Sequence, residues 1–94
     1  MREFIAQLKF DANGLIPAIA QQWDTGEVVM MAWMSKETLL KSLEQKRVIY
    51  YSRSKQSEWR KGDSSGHIQQ LKEVRTDCDM DCLLLLIEQT GSAC

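Results

Sequence analysis

Residues 83–87 are a short apolar run of four leucines followed by one isoleucine. A helix that crosses a bilayer needs about 20 consecutive apolar residues, so this run cannot be one. Five apolar residues in a row are typical of a strand buried inside a sheet. The run therefore predicts a buried strand and argues against a membrane protein.

The first half of the chain has the pattern of a β-hairpin. Residues 15–20 are apolar and residues 28–34 are apolar again, and Asp24, Thr25, Gly26 and Glu27 between them are typical turn residues. Pro17 interrupts the first run, which predicts an edge position or a bulge there. We expect the second strand of this hairpin to be the better buried one.

One short amphipathic helix of about three turns is expected next. Ser35 is a suitable N-cap, and Glu37 in the first turn complements the helix dipole. Leu39, Leu40 and Leu43 share one face. The segment Gln45-Lys46-Arg47 suits a helix C-terminus.

The second half of the chain predicts further strands. Residues 48–51 are β-branched and aromatic, residues 58–61 are expected to pair back on them, and residues 68–76 form another strand. The fold class expected is therefore mainly β, with six or so strands and one helix.

The sequence has 94 residues and a formal net charge of −1. This length allows one domain, residues 1–94, whose core is small enough that a metal or a second copy would be a natural support. The near-neutral charge gives no general reason to expect nucleic acid or an anionic membrane as a partner. The first residues lack the layout of a signal peptide, so we expect a cytoplasmic protein.

An acidic-cysteine segment precedes the buried strand and has the sequence Asp77-Cys78-Asp79-Met80-Asp81-Cys82. If it were extended, the three aspartates would share one side and the cysteines the other. Clustered carboxylates suit Mg²⁺ and thiolates suit Zn²⁺, so the alternation favours two metals. A solvated acidic turn beside structural cysteines is the alternative.

A basic-aromatic segment surrounds Trp59 and contains Arg53, Lys55, Arg60 and Lys61. Basic side chains beside small residues make a phosphate site, and a tryptophan offers a face for a base. A nucleotide fits this pattern. Single-stranded nucleic acid and a solvated hairpin remain alternatives.

His67 is the only histidine and directly follows the small residues Gly62 to Gly66. Imidazoles titrate near neutral pH, so beside a phosphate loop and a metal it is a candidate general acid or base. A lone histidine is otherwise most often structural.

Four ordered motifs make the chain resemble the phosphoribosyl-AMP cyclohydrolase family of histidine biosynthesis. They are Tyr51-Ser52-Arg53-Ser54, the segment from Trp59 to Gln69, Asp77-Cys78-Asp79-Met80-Asp81, and the segment from Glu88 to Cys94. The resemblance implies hydrolytic opening of the N1–C6 bond of 1-(5-phosphoribosyl)-AMP by a zinc-activated water. It also implies hairpins assembled into an intertwined homodimer with zinc ligands shared between subunits.

The resemblance also implies the metal ligands, and the catalytic and substrate-binding residues given below are our predictions for that function. Zn²⁺ would be held by Cys78 and Cys94, and Mg²⁺ by Asp77, Asp79 and Asp81, while Cys82 is expected in the core. His67 would be catalytic. Substrate would contact Arg53, Ser54, Trp59, Lys61, Gly62, Ser65 and Gly66.

The sequence departs from the family after Cys94, where the family has His-Thr-Gly and a third zinc cysteine. We expect the protein to continue beyond residue 94, because every upstream motif is intact. A non-catalytic dimer that binds nucleotide phosphate or metal is the alternative.

Overall fold

The computed structural model describes residues 2–92, in which six strands form one sheet accompanied by two helices. The elements are α1 (Arg2–Gln7), β1 (Leu15–Gln22), β2 (Val28–Ser35), α2 (Lys36–Gln45), β3 (Ile49–Ser52), β4 (Ser57–Arg60), β5 (Gln69–Thr76) and β6 (Leu83–Gln89). The predicted fold class, mainly β with a short amphipathic helix, is confirmed. Neither helix of the described chain is long and apolar enough to cross a membrane.

Three antiparallel hairpins, β1–β2, β3–β4 and β5–β6, make up the sheet, whose strand order is β4-β3-β2-β1-β6-β5. The parallel pairing of β1 with β6 joins the last hairpin to the first. The sheet also curls, because the Val48 N–H donates to the Gln69 carbonyl oxygen at 2.9 Å. This curl brings the start of β3 to the start of β5.

Strand β1 is central in the sheet, but Pro17 itself has a neighbour on one side only, which agrees with the edge position expected there. Pro17 pairs with Trp33 of β2, and the register shift of this pair lies further on, between Ala20 and Gln21. Pairing with β6 begins only at Ala18. Proline is tolerated because β1 has a neighbour on one side alone at that position.

The better-buried strand of the first hairpin is β1, not β2 as expected. Leu15, Ile16, Ala18 and Ala20 are buried in β1, whereas most of β2 is half-buried or exposed. The reason is topological: β1 has β2 on one side and β6 on the other, and the sequence pattern of the hairpin carries no information about that second neighbour.

One face of the sheet forms the core. Ala18 pairs with Leu83 and Ala20 with Leu85, and all four side chains are buried. The helices cover this face, through a set of buried side chains that includes Ile5, Leu8 and Leu39.

The opposite face of the sheet, which we call the open face, is also apolar. Here Pro17 lies opposite Trp33, and Ile19 lies opposite Met31 on one side and Leu84 on the other. Met31 is 55% exposed and the other four are half-buried. Among residues 2–92 the two helices pack on the core face, so this apolar surface faces outward.

Helix α2 begins as predicted. The Ser35 side chain accepts a hydrogen bond from the Thr38 N–H at 3.1 Å, and the Thr38 hydroxyl oxygen accepts from the Ser35 N–H at 2.9 Å. Lys46 ends the helix in the left-handed conformation. Leu40 is 42% exposed and does not share the buried face of Leu39, which corrects that expectation.

Helix α1 was not expected from the sequence. Its six residues have no N-cap pattern and too few turns to show a periodicity. It is held by packing, since Ile5 and the following Leu8 are buried in the core.

Candidate functional site

The small-residue loop after β4 is built around two glycines. Gly62 has φ +90°, and a Cβ atom there would lie 2.5 Å from the backbone nitrogen of Ile68. The Gly66 N–H donates to the Gly62 carbonyl oxygen at 2.8 Å, which closes the loop. Glycine is therefore required at position 62 by both conformation and space.

Lys61 lies underneath this loop. It is 5% exposed, and its Nζ donates to the His67 carbonyl oxygen at 3.2 Å. Its backbone N–H donates to the Val48 carbonyl oxygen at 3.1 Å. An ammonium group has three hydrogens, so this one contact leaves hydrogens for a ligand in the loop.

Two arginines hold the outer side of the loop. Arg47 donates to the Lys61 carbonyl oxygen at 3.2 Å and to a carboxylate oxygen of Asp63 at 3.0 Å. Arg60 donates to the same Asp63 oxygen at 2.8 Å. Asp63 is thereby paired with two cations, so it adds little net negative charge to a loop expected to bind phosphate.

His67 follows the loop and is half-buried. Its backbone N–H donates to the Ser65 hydroxyl oxygen at 3.1 Å. Gly91 packs against its ring so closely that a Cβ at Gly91 would lie 2.7 Å from the His67 Cδ2. His67 is therefore held by the loop through its backbone and by the segment after β6 through its ring.

A buried line of polar side chains runs behind His67. The Tyr50 hydroxyl donates to the Gln69 side-chain oxygen at 2.5 Å, and the Gln69 Nε2 donates to the Gln89 Oε1 at 2.8 Å. Tyr50 and Gln69 are fully buried. Burial raises the pKa of Tyr50, and the hydrogen bond to Gln69 opposes this only in part.

Sequence reasoning missed this line, although a clue was present. Gln69 lies two residues before buried Leu71, and Gln89 lies two residues after buried Ile87. Since side chains alternate along a strand, both glutamines had to point inward. A polar side chain at an inward position must find a partner, which marks it as a candidate for a specific role.

Arg53, Ser54 and Trp59 line one open groove. The Arg53 guanidinium lies 4.4 Å from the ring centre of Trp33, a cation–π contact. Trp59 is 43% exposed, and its ring centre lies 5.5 Å from that of Tyr50. Lys61 lies at the other end of β4 from Arg53, so the structure places the predicted phosphate contacts in two groups.

The three aspartates of the acidic-cysteine segment come together. One ligand oxygen from each of Asp77, Asp79 and Asp81 lies within 4.8 Å of the others, and all three residues are exposed. Within residues 2–92 this is the only cluster of three or more acidic, histidine or cysteine side chains close enough to share a metal ion. Three carboxylates at this spacing repel one another, and a hard cation with oxygen ligands relieves that repulsion.

The backbone conformation that brings the three aspartates together differs from the extended one expected. The segment is a turn between β5 and β6, not an extended strand. One Asp77 carboxylate oxygen accepts hydrogen bonds from the N–H groups of Asp79 and Met80, both at 3.2 Å. Met80 has φ +57°. The turn therefore gathers the carboxylates that strict alternation was expected to align.

The cysteines differ in exposure. Cys78 is exposed and Cys82 is half-buried, so Cys82 is not a core residue as expected. Burial raises the pKa of the Cys82 thiol, and the charges of Asp77 and Asp81 raise it further. Cys94 lies outside the described residues.

The His67 loop and the aspartate turn lie at opposite ends of β5. That strand runs from Gln69 to Thr76. Seven residue steps of extended chain span roughly 23 Å. One chain therefore holds the two parts of the candidate site too far apart to act on a single substrate atom.

Comparisons with known proteins agree on one family. The family model for phosphoribosyl-AMP cyclohydrolase matches residues 30–94. A protein of that name from Paracoccus denitrificans is 63% identical over 89 residues, which are 95% of this chain and 74% of the relative. One from Rhodospirillum centenum is 58% identical over 94 residues, 100% of this chain and 71% of the relative.

A third relative of the same name, from Hydrogenovibrio crunogenus, is 62% identical over 88 residues, covering 94% of this chain and 60% of its own length. These matches cover nearly the whole chain, including the loop, the histidine and the aspartate turn. The chain belongs to the phosphoribosyl-AMP cyclohydrolase family.

Proposed function

We propose that this protein opens the adenine ring of 1-(5-phosphoribosyl)-AMP by hydrolysis of the N1–C6 bond, as a cytoplasmic step of histidine biosynthesis. The observation that carries the proposal is the family membership, which rests on relatives that bear the cyclohydrolase name. The loop around Lys61 and the aspartate turn provide the kinds of group that this substrate and reaction require.

The substrate carries a phosphate on each ribose, which gives the basic residues a role. Lys61 offers an ammonium with hydrogens to spare at the base of a loop whose backbone curls around Gly62. Arg53 and Ser54 lie in the separate groove beside Trp33. We assign the two phosphates to these two groups, with Ser65 and Gly66 completing the first and Trp59 bordering the second.

His67 is the proposed proton carrier. Its ring packs against Gly91, and its backbone is hydrogen-bonded at both the N–H and the carbonyl oxygen. Ring opening needs a proton removed from the attacking water and a proton delivered to N1 of the leaving amidine. A held imidazole can do either at neutral pH.

The aspartate turn fits a hard divalent cation. Asp77, Asp79 and Asp81 would hold Mg²⁺ through carboxylate oxygens, with solvent filling the other positions because the cluster is exposed. Bound there, the cation supplies positive charge for a substrate phosphate. The chain's own contribution is the Asx-type turn at Asp77, which keeps the three carboxylates close together.

Cys78 is the described residue that fits zinc, since its thiol is exposed beside the aspartate turn. Cys94 would be the second ligand. Zinc in such a site supplies the Lewis acidity that makes water nucleophilic near neutral pH. The exposed position of Cys78 leaves room for ligands from other segments or from another chain.

We further propose a homodimer with a shared site. The His67 loop and the aspartate turn are at opposite ends of β5, so a second copy must supply one of them to each site. The open face, with exposed Met31 and half-buried Ile19 and Leu84, offers an apolar surface for that copy.

The test is turnover of 1-(5-phosphoribosyl)-AMP by the purified full-length protein supplied with zinc and magnesium, followed by the absorbance change of the opened ring. His67→Ala is the matched inactive control. Ring opening that disappears in the control supports the proposal. Tight binding of the substrate without turnover would contradict it and leave a non-catalytic nucleotide-binding dimer in its place.

A further inference from the structure

We propose that Gln89 is a positioning residue for His67, and that Gln69 and Tyr50 fix the orientation of its side-chain amide. The inference rests on the proposed role of His67 and adds residues to which the sequence motifs assigned no function. It concerns how one imidazole is held in place relative to two separate segments of the chain.

The Gln89 side-chain nitrogen lies among backbone carbonyl oxygens. The nearest are those of Thr90 at 3.0 Å and His67 at 3.1 Å, followed by those of Ile68 at 3.3 Å and Ser92 at 3.5 Å. An amide nitrogen has two hydrogens. The two shortest contacts join the backbone of His67 to the segment after β6 that packs on its ring.

The direction of these hydrogen bonds is fixed by the surroundings. A group among carbonyl oxygens must be the NH₂ end of Gln89, so its oxygen faces Gln69 and accepts from the Gln69 Nε2 at 2.8 Å. The Gln69 oxygen must then accept from a donor, which is the Tyr50 hydroxyl. Since Tyr50 and Gln69 are fully buried, neither side-chain amide can rotate by half a turn without leaving buried polar atoms unpaired.

The His67 carbonyl oxygen is held from two directions. Lys61 donates to it at 3.2 Å and Gln89 at 3.1 Å, which uses both of its lone pairs. Gly91, two residues after Gln89, meets the His67 ring itself. Gln89 is also connected to β1, because its backbone N–H donates to the Gln22 side-chain oxygen at 3.0 Å. Gln89 therefore sets the distance between the His67 backbone and the segment that bounds its ring.

The test uses the His67 imidazole as its own reporter, since His67 is the sole histidine of residues 1–94 and its resonances are assigned by their loss in His67→Ala. The imidazole resonances of the full-length protein are compared by NMR between the unmodified protein and Gln89→Met, which keeps the chain length but removes the donors. Ser42→Ala is the control, since the Ser42 hydroxyl is buried and forms its hydrogen bonds only with α2 and β3, away from His67. Tyr50→Phe is a milder variant that removes only the far end of the line.

We expect Gln89→Met to shift and broaden the His67 resonances, Tyr50→Phe to shift them less in the same direction, and Ser42→Ala to leave them unchanged although it lowers the melting temperature. In the kinetic arm, Gln89→Met should lower kcat at least about tenfold with little change in KM, as expected for a displaced catalytic group. Resonances that move no further in Gln89→Met than in Ser42→Ala would overturn the inference.

The two proposals fail separately. An unmodified protein that does not turn over the substrate removes the proposed function, whereas the NMR comparison still decides whether Gln89 positions His67. If Gln89→Met does not fold, Tyr50→Phe decides the question: an unshifted His67 signal in that variant contradicts the inference.

Discussion

The ammonium group of Lys61 and the backbone carbonyl oxygen of His67 are 3.2 Å apart, beneath a loop closed by Gly62 and Gly66. A residue that the sequence suggested as a plain phosphate contact is thus also part of the support for the candidate proton carrier. In the proposed function, this one hydrogen bond would couple phosphate binding at Lys61 to proton transfer at His67.

We predict that Lys61→Met raises KM for 1-(5-phosphoribosyl)-AMP at least about tenfold, because removing a charge-assisted phosphate contact costs roughly 1.5–3 kcal/mol. It should lower kcat as well, since the His67 carbonyl oxygen loses one of two donors. Steady-state kinetics measure both. Lys55→Met, at an exposed lysine in the β3–β4 turn, is the control. An unchanged KM in Lys61→Met would remove the phosphate role.

The aspartate turn should bind Mg²⁺ in solution. We predict that Asp79→Asn weakens Mg²⁺ binding at least about tenfold, because one of three converging carboxylates loses its charge. Isothermal titration calorimetry with MgCl₂ measures the change. Asp24→Asn is the control, since Asp24 is an exposed aspartate of the β1–β2 turn. Equal affinities in the two variants would show that the cluster is a solvated acidic turn.

The shared site predicts complementation between inactive variants. His67→Ala and Asp79→Asn should each be inactive alone, yet a mixed dimer would hold one intact site built from the unaltered His67 of one chain and the unaltered Asp79 of the other. Random mixing of the two should restore about one quarter of full activity, and the isolated mixed dimer should show about one half, because one of its two sites is intact. Co-expression with two affinity tags, followed by an assay of the mixed dimer, makes the measurement. A mixed dimer that stays inactive would place both residues in the same chain's site.

Alkaline pH should destabilise the protein through Tyr50. Burial raises the pKa of Tyr50 in the folded state, so above the unfolded value of about 10 the unfolded chain releases this proton first. The ionisation of Tyr50 therefore leaves the free energy of unfolding unchanged below pH ~10. Above that pH it lowers the free energy of unfolding, by at most about 1.4 kcal/mol per pH unit. Urea unfolding of the unmodified protein and of Tyr50→Phe between pH 8 and 11 tests this. Parallel curves for the two proteins would contradict it.

Local sequence rules predicted the parts of the fold that are decided locally. Ser35 is an N-cap and the strand around 83–87 is buried because capping and apolar runs depend on neighbouring residues. The burial of β1 relative to β2 was misjudged because the parallel partner β6 lies far away in sequence. Helix α1 was missed because it is short and depends on its contacts with the core.

The candidate site shows the same division. The aspartates, the loop and His67 were marked by residue type and order along the chain. The convergence of Asp77, Asp79 and Asp81 was expected for the wrong reason, since a turn and not a strand brings them together. Gln69 and Gln89 were absent from the candidate list, because their importance lies in a contact between two strands that only the paired structure reveals.

The parallel pairing of β1 with β6 also has a consequence for how the protein folds. Strand β1 gains its second neighbour only when Ala18 pairs with Leu83, which lies about 65 residues later in the chain. Until then the inner edge of β1 is unpaired and open to a strand from any chain nearby. Closing so long a loop is slow, so we expect assembly in the millisecond-to-second range and a dependence of refolding yield on protein concentration.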